Sequence, residues 1–424
     1  MSIKKIIMLL FCSLLCIMGL TGCSQINKMS ETATEMNEEY SALTKVADHL
    51  YETTFTDDFV WSEKMTLKNI NGAFSCSAIQ VGQYRGRNYD WSFDDTDLCV
   101  VHATVTENRP HASVGIADLS FISDENGDFD LAEVPFYTVD GINDAGVCVQ
   151  VNVMPEGENG EIPHTESADD DLLHAHVVRY ILDYADSVDD IVALLKKMDI
   201  YSVFGGEELH WMISGPTSKS DKTIKTVVVE VFPDDLHITE DFVDDIPIMT
   251  NFNVSNFDGS KESVGWGLGY ERWQILKENH EQADSVMGTF DLMEKTYFSK
   301  MYDLYSDRFW YSEYALTNLN KYYSDEELIE KIGQERYDFY MNNYGSVYYL
   351  PEFWDGEENI HGDISKTGII APAVEHIADI YKAQNLGDET WITIETSVYD
   401  LENLTLDLQV RESQDHYHFT IDQK

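Results

Sequence analysis

Basic residues are scarce in this chain of 424 residues, which carries 28 lysines and arginines against 77 aspartates and glutamates. The resulting net charge of −49 at pH 7 argues against binding to nucleic acid, because the phosphate backbone would repel such a surface. No stretch rich in proline, glycine and serine divides the chain, and no internal repeat is present. Histidines at zinc-ligand spacing are also absent, so we expect no metal ion and no other cofactor.

Cysteine is equally sparse, with six residues, and the first three belong to the N-terminus. Residues 6–20 form an apolar run after two lysines, which is typical of a secretory signal peptide. The run ends in Leu-Thr-Gly-Cys, which resembles a bacterial lipobox. We therefore expect cleavage before Cys23, diacylglycerol on its thiol, and a lipoprotein on the extracytoplasmic face of the cell membrane. An uncleaved signal anchor or ordinary secretion are the alternatives.

Three cysteines remain outside the membrane if Cys23 carries lipid. Cys99 and Cys148 both lie in apolar, strand-like runs, and two buried free thiols are favoured over a disulfide between them. Cys76 is then the odd thiol that needs an explanation.

The chain divides into a signal peptide (1–22), a lipidated segment (23–75) and one long domain (76–424). In the segment, apolar residues recur at three- and four-residue spacing and predict a helix over 32–55. The domain reads as strands, then helices, then strands, which favours an α+β fold with stacked sheets. Strands are predicted at 99–106, 112–121, 146–153, 210–214, 226–232, 246–251, 390–398, 404–410 and 416–421. Helices are predicted at 171–184, 188–198, 270–278, 283–296, 325–342 and 374–384.

An acidic tract over residues 124–130 admits two interpretations. Its alternating oxygen-bearing side chains are similar to the first half of a calcium-binding loop. The glycine and the twelfth position do not fit such a loop, however, and Asn126-Gly127 is a common tight turn. We favour a hairpin turn.

Cys76 is followed closely by Arg87 and Asp90, as on a hairpin that returns to it. A cation near a thiol favours the thiolate, and a carboxylate can orient an amine. Taken alone, this is weak support for a nucleophile, since a buried structural cysteine is the more common explanation.

Ordered motifs from Cys76 onwards resemble the choloylglycine hydrolase family, which includes conjugated bile acid hydrolases and penicillin V acylases, with acid ceramidase as a relative. Cys-Ser-Ala-Ile at 76–79 and Gly-Arg-Asn-Tyr-Asp-Trp at 86–91 are similar to the start of that family's mature chain. The further matching segments are Asp-Gly-Ile-Asn-Asp-Ala-Gly-Val at 140–147, His-Trp-Met-Ile-Ser at 210–214, Met-Thr-Asn at 249–251 and Tyr-Glu-Arg-Trp at 270–273. The resemblance implies an N-terminal-nucleophile hydrolase with a four-layer αββα sandwich of two stacked antiparallel sheets.

The resemblance also implies roles for individual residues. Cys76 would attack an amide carbonyl, with its own α-amino group as general base after cleavage of the preceding bond. The remaining roles are stabilisation of the thiolate by Arg87, positioning of the amine by Asp90, oxyanion binding by the Asn251 side chain and the Asn152 backbone N–H, and bracing of the cluster by Arg272. His210 is interpreted as structural.

The predicted function is hydrolysis of a linear, non-peptide amide through an acyl-thioester. The expected partners are a small N-acyl amide and the membrane that holds the lipid. One alternative is an acyltransferase on the same fold, and another is a lipid-anchored binding protein without catalysis. The sequence leaves open the amide, the acyl acceptor, the agent that cuts before Cys76, and whether the chain forms a homo-oligomer.

Overall fold

A computed structural model describes a large part of the chain. The described residues are 43–59, 75–91, 96–123, 129–154, 171–201, 208–232, 235–264, 269–297, 317–318, 324–334, 337–338, 341, 348–349 and 392–421. The predicted signal peptide, Cys23, most of the tract over 124–130 and the predicted helix over 374–384 lie outside them. No helix among the described residues is long and apolar enough to cross a membrane.

The described residues contain nineteen strands, numbered in chain order. The first ten are β1 (Thr44–Ala47), β2 (Leu50–Phe55), β3 (Ser75–Val81), β4 (Tyr84–Trp91), β5 (Leu98–Ala103), β6 (Ser113–Asp118), β7 (Thr138–Asn143), β8 (Cys148–Met154), β9 (Asp171–Leu173) and β10 (Asp199–Tyr201). The others are β11 (Glu208–Pro216), β12 (Ile224–Val231), β13 (Leu236–Thr239), β14 (Ile248–Met249), β15 (Thr317–Asn318), β16 (Tyr348–Tyr349), β17 (Ile392–Asp400), β18 (Thr405–Val410) and β19 (Tyr417–Thr420).

Two large sheets organise these strands. The first has nine strands in the order β1-β2-β5-β6-β7-β8-β11-β12-β13, and the second has six in the order β14-β3-β4-β17-β18-β19. All neighbouring pairs in both sheets are antiparallel except β2 and β5, which run parallel. The sheets stack face to face, with β3 against β8 and β18 against β7. Apolar side chains from both sheets, such as Val114, Ile116, Leu406 and Leu408, form one buried cluster between them.

Helices cover the outer faces. We number those among the described residues α1 (Val177–Tyr184), α2 (Val188–Leu195), α3 (Tyr270–Asn279), α4 (Val286–Met293) and α5 (Asp325–Ile332). Helices α1 and α2 pack on the nine-stranded sheet, whereas α3 and α4 pack on the six-stranded sheet. The side chains at helical spacing in α1, including Val178, Ile181 and Leu182, belong to a second buried apolar cluster. This cluster lies between α1, α2 and the strands β8, β11 and β12. The predicted α+β fold with two stacked sheets between helical layers is confirmed.

The helix predicted over 32–55 is wrong in its described part, which forms β1 and β2. Tyr51, Thr53, Thr54 and Phe55 favour extended backbone, and β2 gains a ladder by pairing with β5 from Leu50 onwards. A partner strand about fifty positions further along the chain therefore outweighs a local helical pattern. For a similar reason the predicted helix over 171–184 starts as β9 and becomes α-helical only in α1, because β9 pairs with β10.

The prediction of free thiols at Cys99 and Cys148 is confirmed, since both are buried and unpaired. They lie on β5 and β8, which β6 and β7 separate in the sheet. A disulfide would need neighbouring strands.

Candidate active site

A tight hairpin places the residues around Cys76. Strands β3 and β4 pair antiparallel, and Gly82 makes the turn between them in the left-handed region, with a φ of 53°. Cys76 faces Tyr89 across the ladder, and Ser75 faces Asp90. The return of Asp90 beside Cys76, which the sequence predicts, follows from this register.

Both backbone groups of Cys76 are held by side chains from distant segments. The Cys76 N–H donates to Asn251 Oδ1 at 2.8 Å, and Arg272 Nη1 donates to the Cys76 carbonyl. Arg272 Nη2 also donates to Asn251 Oδ1, at 2.7 Å. Asn251 follows β14, which pairs with β3, and Arg272 lies in the first turn of α3. Gly269 precedes that helix with a φ of 98°, and a Cβ there would lie only 2.7 Å from Arg272 Nη2.

Asp90 lies beneath this cluster, fully buried. Its Oδ1 accepts a hydrogen bond from Thr393 Oγ1 at 2.6 Å, and its Oδ2 lies 3.5 Å from Arg272 Nη1. Burial raises the pKa of Asp90 to about 7, although Arg272 and the bond from Thr393 act in the opposite direction. The carboxyl group therefore changes protonation near neutral pH.

Burial likewise raises the pKa of the Cys76 thiol to about 11. Arg87 and Arg272 lower this pKa, whereas Asp90 raises it. In the intact chain the thiol is therefore protonated at neutral pH, and it needs a base before it can act as a nucleophile.

Arg87 is locked between the two sheets. Its Nη1 lies 3.2 Å from Asp140 Oδ2 and 3.4 Å from Glu395 Oε2, and its Nη2 donates to the Val151 carbonyl at 3.1 Å. Its guanidinium also lies over the Tyr89 ring, 4.7 Å from the centroid. These contacts fix the cation on the same cleft that Cys76 lines.

The structure therefore gathers all six predicted site residues, and their catalytic roles stay predictions. Arg87 and Asn152 line the cleft with Cys76, while the other three contact Cys76 or one another. The side-chain amide of Asn152 is engaged by the carbonyls of Met249 and Thr250, at 3.3 and 3.1 Å.

Two acidic neighbours of Arg87 were not predicted from the sequence. Asp140 accepts hydrogen bonds from Ser397 Oγ at 2.8 Å and from Tyr399 OH at 2.7 Å, in addition to its contact with Arg87. Glu395 is fully buried on β17. The sequence did offer one signal for Glu395, which is an acidic residue within a strand-like run. A carboxylate that is buried in a strand needs a cationic partner.

A buried pair, His210 and Glu230, supports the segment that carries the site asparagine. The His210 ring lies between two oxygen atoms. Its Nδ1 is 3.2 Å from Glu230 Oε1, and its Nε2 is 2.9 Å from the Thr250 carbonyl oxygen. Glu230 also accepts the backbone N–H groups of Val254 at 2.7 Å and Ser255 at 2.9 Å. The structural interpretation of His210 agrees with these contacts.

Replacing Glu230 with alanine is expected to lower the free energy of unfolding by about 3–5 kcal/mol, because His210 and two backbone donors lose their buried acceptor. Glu240→Ala is a suitable control, since Glu240 pairs with Lys225 at the surface and its loss should cost less than about 1 kcal/mol. Urea denaturation measures both. Equal losses in the two variants would show that the buried pair does not hold this segment.

The cleft beside Cys76 has a cavity volume of about 60 Å³. Its apolar wall is formed by Phe121, Val139, Val151, Val153, Ala175 and Leu209. Such a wall suits an apolar portion of a small molecule placed next to the thiol. Among the described residues, no group of three or more histidines, cysteines and acids could hold a metal ion.

The similarity of this chain to known proteins lies in its structure. No protein-family model matches the sequence, and no curated protein matches it. Among solved structures, a variant of the conjugated bile acid hydrolase from Clostridium perfringens shares 13% identity over 82% of this chain and 92% of its own, with a TM-score of 0.37. The chain is similar to a bile acid hydrolase. A second variant of that hydrolase shares 12% identity over 81% and 92% of the two chains, also with a TM-score of 0.37.

The penicillin V acylase from Agrobacterium tumefaciens is similar as well. It shares 13% identity over 81% of this chain and 86% of its own, with a TM-score of 0.34.

Proposed function

We propose that this protein is a cysteine N-terminal-nucleophile hydrolase that cleaves a linear N-acyl amide through an acyl-thioester on Cys76. One observation carries the proposal. The backbone nitrogen of Cys76 is held by Asn251 Oδ1, within a buried cluster that also contains Asp90 and Arg272. If the bond between Ser75 and Cys76 is cut, this nitrogen becomes an α-amine in a site already built to hold it.

The α-amine then supplies the base that the buried thiol requires. It takes the thiol proton, and the Cys76 sulfur attacks the amide carbonyl to form a tetrahedral oxyanion. The oxyanion collapses, the C–N bond breaks, and the leaving amine departs with the proton from the α-amine. Water, deprotonated by the same amine, attacks the thioester and releases the carboxylic acid. Arg87 and Arg272 favour the anionic sulfur during these steps, as they already lower its pKa.

Asn251 suits the oxyanion because it offers an amide group fixed on both sides. Its Oδ1 accepts from Cys76 and from Arg272, and its Nδ2 donates to the Val153 carbonyl at 2.7 Å. One of the two Nδ2 hydrogens makes that bond, so the second serves the oxyanion. The backbone N–H of Asn152, which lines the cleft with Cys76, is the proposed second donor.

The segment before Cys76 is proposed to stay bound after the cut as a small chain over residues 23–75. Strand β2 forms part of the nine-stranded sheet, and Arg109 Nη2 donates to the Phe55 carbonyl at 3.1 Å. Asp58 accepts from Asn108 Nδ2 at 2.7 Å. The Phe59 ring lies under the Arg109 guanidinium at 4.1 Å. With lipid on Cys23, this small chain would anchor the catalytic chain over 76–424 at the membrane surface.

Intact mass and N-terminal sequencing of purified protein test this proposal. We expect a large chain that begins at Cys76 and a small lipidated chain that co-purifies with it. The two-chain protein should hydrolyse at least one member of a panel of glycine- and taurine-conjugated bile acids, penicillin V and N-acylethanolamines. Full activity in an uncut chain over residues 23–424 would contradict the proposed mechanism.

A further inference from the structure

The two carboxylate oxygens of Asp90 differ in their contacts. Thr393 Oγ1 donates to Oδ1 at 2.6 Å. Oδ2 is buried, lies 3.5 Å from Arg272 Nη1, and makes no hydrogen bond within the part of the chain that the structure describes. The same Arg272 nitrogen donates to the Cys76 carbonyl, so Oδ2 lies at the backbone of Cys76. A buried carboxylate oxygen is stabilised by a donor, and Oδ2 is therefore able to accept one more hydrogen bond.

The proposed cut supplies a donor at the nitrogen of Cys76. In the uncut chain this nitrogen has one hydrogen, which Asn251 Oδ1 accepts at 2.8 Å. The released α-amine has at least one hydrogen more, and this hydrogen needs an acceptor in the same buried cluster. Because Oδ1 of Asp90 already accepts from Thr393, Oδ2 is the oxygen that serves the amine.

A bulge in β17 determines which residue lies opposite Asp90. Thr393 pairs with Asp90 on β4, and the next pair joins Glu395 to Tyr89. Ile394 is therefore an extra residue on β17. A regular ladder would bring this isoleucine opposite Asp90, whereas the bulge brings a hydroxyl group there. Bulges re-aim side chains in this way and are frequent next to active sites.

The turn after β18 holds the bulge in place. The Arg411 N–H donates to the Ile394 carbonyl at 2.7 Å, and Glu412 Oε1 accepts the Thr393 N–H at 3.1 Å. Arg411 and Glu412 both have φ values in the left-handed region, 55° and 54°. This conformation costs free energy for residues other than glycine, and such strained residues cluster at functional sites.

We infer that Thr393 is a positioning residue, whose hydroxyl fixes the Asp90 carboxyl group so that Oδ2 accepts from the α-amine of Cys76. The inference rests on the proposed amide hydrolase function, because the amine exists only after the cut. Thr393 suits this role, since a β-branched side chain in a strand has few rotamers and holds its hydroxyl in one direction.

The same hydrogen bond favours the ionised form of Asp90. Burial raises the pKa of Asp90, and the bond from Thr393 lowers it. The charged groups that face Asp90 are Arg272 and Arg87, which lower this pKa, and Glu412, which raises it. All three remain when the hydroxyl is removed, so the pKa of Asp90 should rise in such a variant.

Thr393→Val tests the inference, since it removes the hydroxyl and keeps the branched shape. In the two-chain enzyme it should lower kcat for N-acyl amides about 10-fold with little change in KM, because one hydrogen bond to a carboxylate is lost. The loss should be larger at mildly acidic than at alkaline pH, since Asp90 without this bond is more protonated in acid. Thr393→Ser keeps the hydroxyl and should restore most of kcat.

Thr396→Val is the matched control. Thr396 lies on the same strand, is also buried, and donates to Asn88 Oδ1 at 2.9 Å. Asn88 in turn holds the end of α4 through the Met293 carbonyl. The control removes the same atoms from the same strand, and it should leave kcat and its pH dependence unchanged.

The outcomes separate this inference from the proposed function. Thr393→Val that is cut and turns over like Thr396→Val overturns the role of Thr393, as does a loss that Thr393→Ser fails to restore. Thr393→Val that stays uncut while the control is cut supports the role, because the Cys76 nitrogen gains its new hydrogen during the cut. A wild-type protein that is cut at Cys76 but hydrolyses no N-acyl amide refutes the hydrolase function instead, and the rate of cutting in the variants still tests Thr393.

Discussion

Replacing Cys76 with alanine is expected to lower kcat for N-acyl amides by roughly 10⁴- to 10⁶-fold, the range typical of losing a covalent nucleophile. The same variant should stay uncut, because we propose that the Cys76 sulfur attacks the Ser75 carbonyl, the thiol proton passes to the departing Cys76 nitrogen, and water then hydrolyses the resulting thioester. A single band on a denaturing gel and the absence of product release measure the two effects. The contacts of the Cys76 backbone with Asn251 and Arg272 do not need the sulfur, so the fold should persist.

The chain provides matched controls for this prediction. Cys99 and Cys148 are also buried, free thiols on strands of the same domain. Burial raises the pKa of each. Alanine at either position removes one sulfur from the core and should leave both cutting and turnover intact. If either control lost activity as Cys76→Ala does, or if Cys76→Ala kept wild-type turnover, Cys76 would not be the nucleophile.

The second large effect is expected at Asn251, where alanine should lower kcat about 10²- to 10³-fold. The variant removes the proposed oxyanion donor and the acceptor that holds the Cys76 nitrogen. It also leaves Arg272 without one of its three partners at the site, the others being the Cys76 carbonyl and Asp90. Because these interactions strengthen in the transition state, KM should change far less than kcat. Steady-state kinetics with a chromogenic N-acyl amide measures the two constants.

Two further measurements separate the loss of the proposed oxyanion donor at Asn251 from other effects of the substitution. Asn253 lies in the same loop and accepts hydrogen bonds from the N–H and hydroxyl of Ser255, at 3.1 and 2.7 Å. Asn253→Ala therefore reports damage to the loop alone. Intact mass shows whether Asn251→Ala is cut, which separates an effect on maturation from one on turnover. Equal losses in the two variants would indicate a loop defect and contradict the role in the oxyanion site.

The site residues that were predicted from the sequence differ in how far apart they lie along the chain. Cys76, Arg87 and Asp90 belong to one hairpin, so their proximity follows from local chain direction and a glycine turn. Arg272 lies 196 positions after Cys76. Periodicity and composition alone offered no reason to join the two, and only the resemblance of ordered motifs did so.

The missed features share a physical cause, which is pairing between distant segments. Asp140 and Glu395 reach Arg87 from two different sheets, and no sequence pattern around either residue joins it to Arg87. The helix predicted over 32–55 failed because the strand that pairs with β2 begins only at Leu98.

The parallel ladder between β2 and β5 has a consequence for the life of the enzyme. Once the proposed cut is made, one sheet is assembled from two polypeptides, and its refolding after denaturation becomes a second-order reaction that slows on dilution. The uncut precursor pairs β2 and β5 within one chain, so its folding is independent of concentration. Activity lost by unfolding would therefore return poorly from dilute solution. The rate of unfolding, rather than the equilibrium free energy of unfolding, then limits how long the protein stays active.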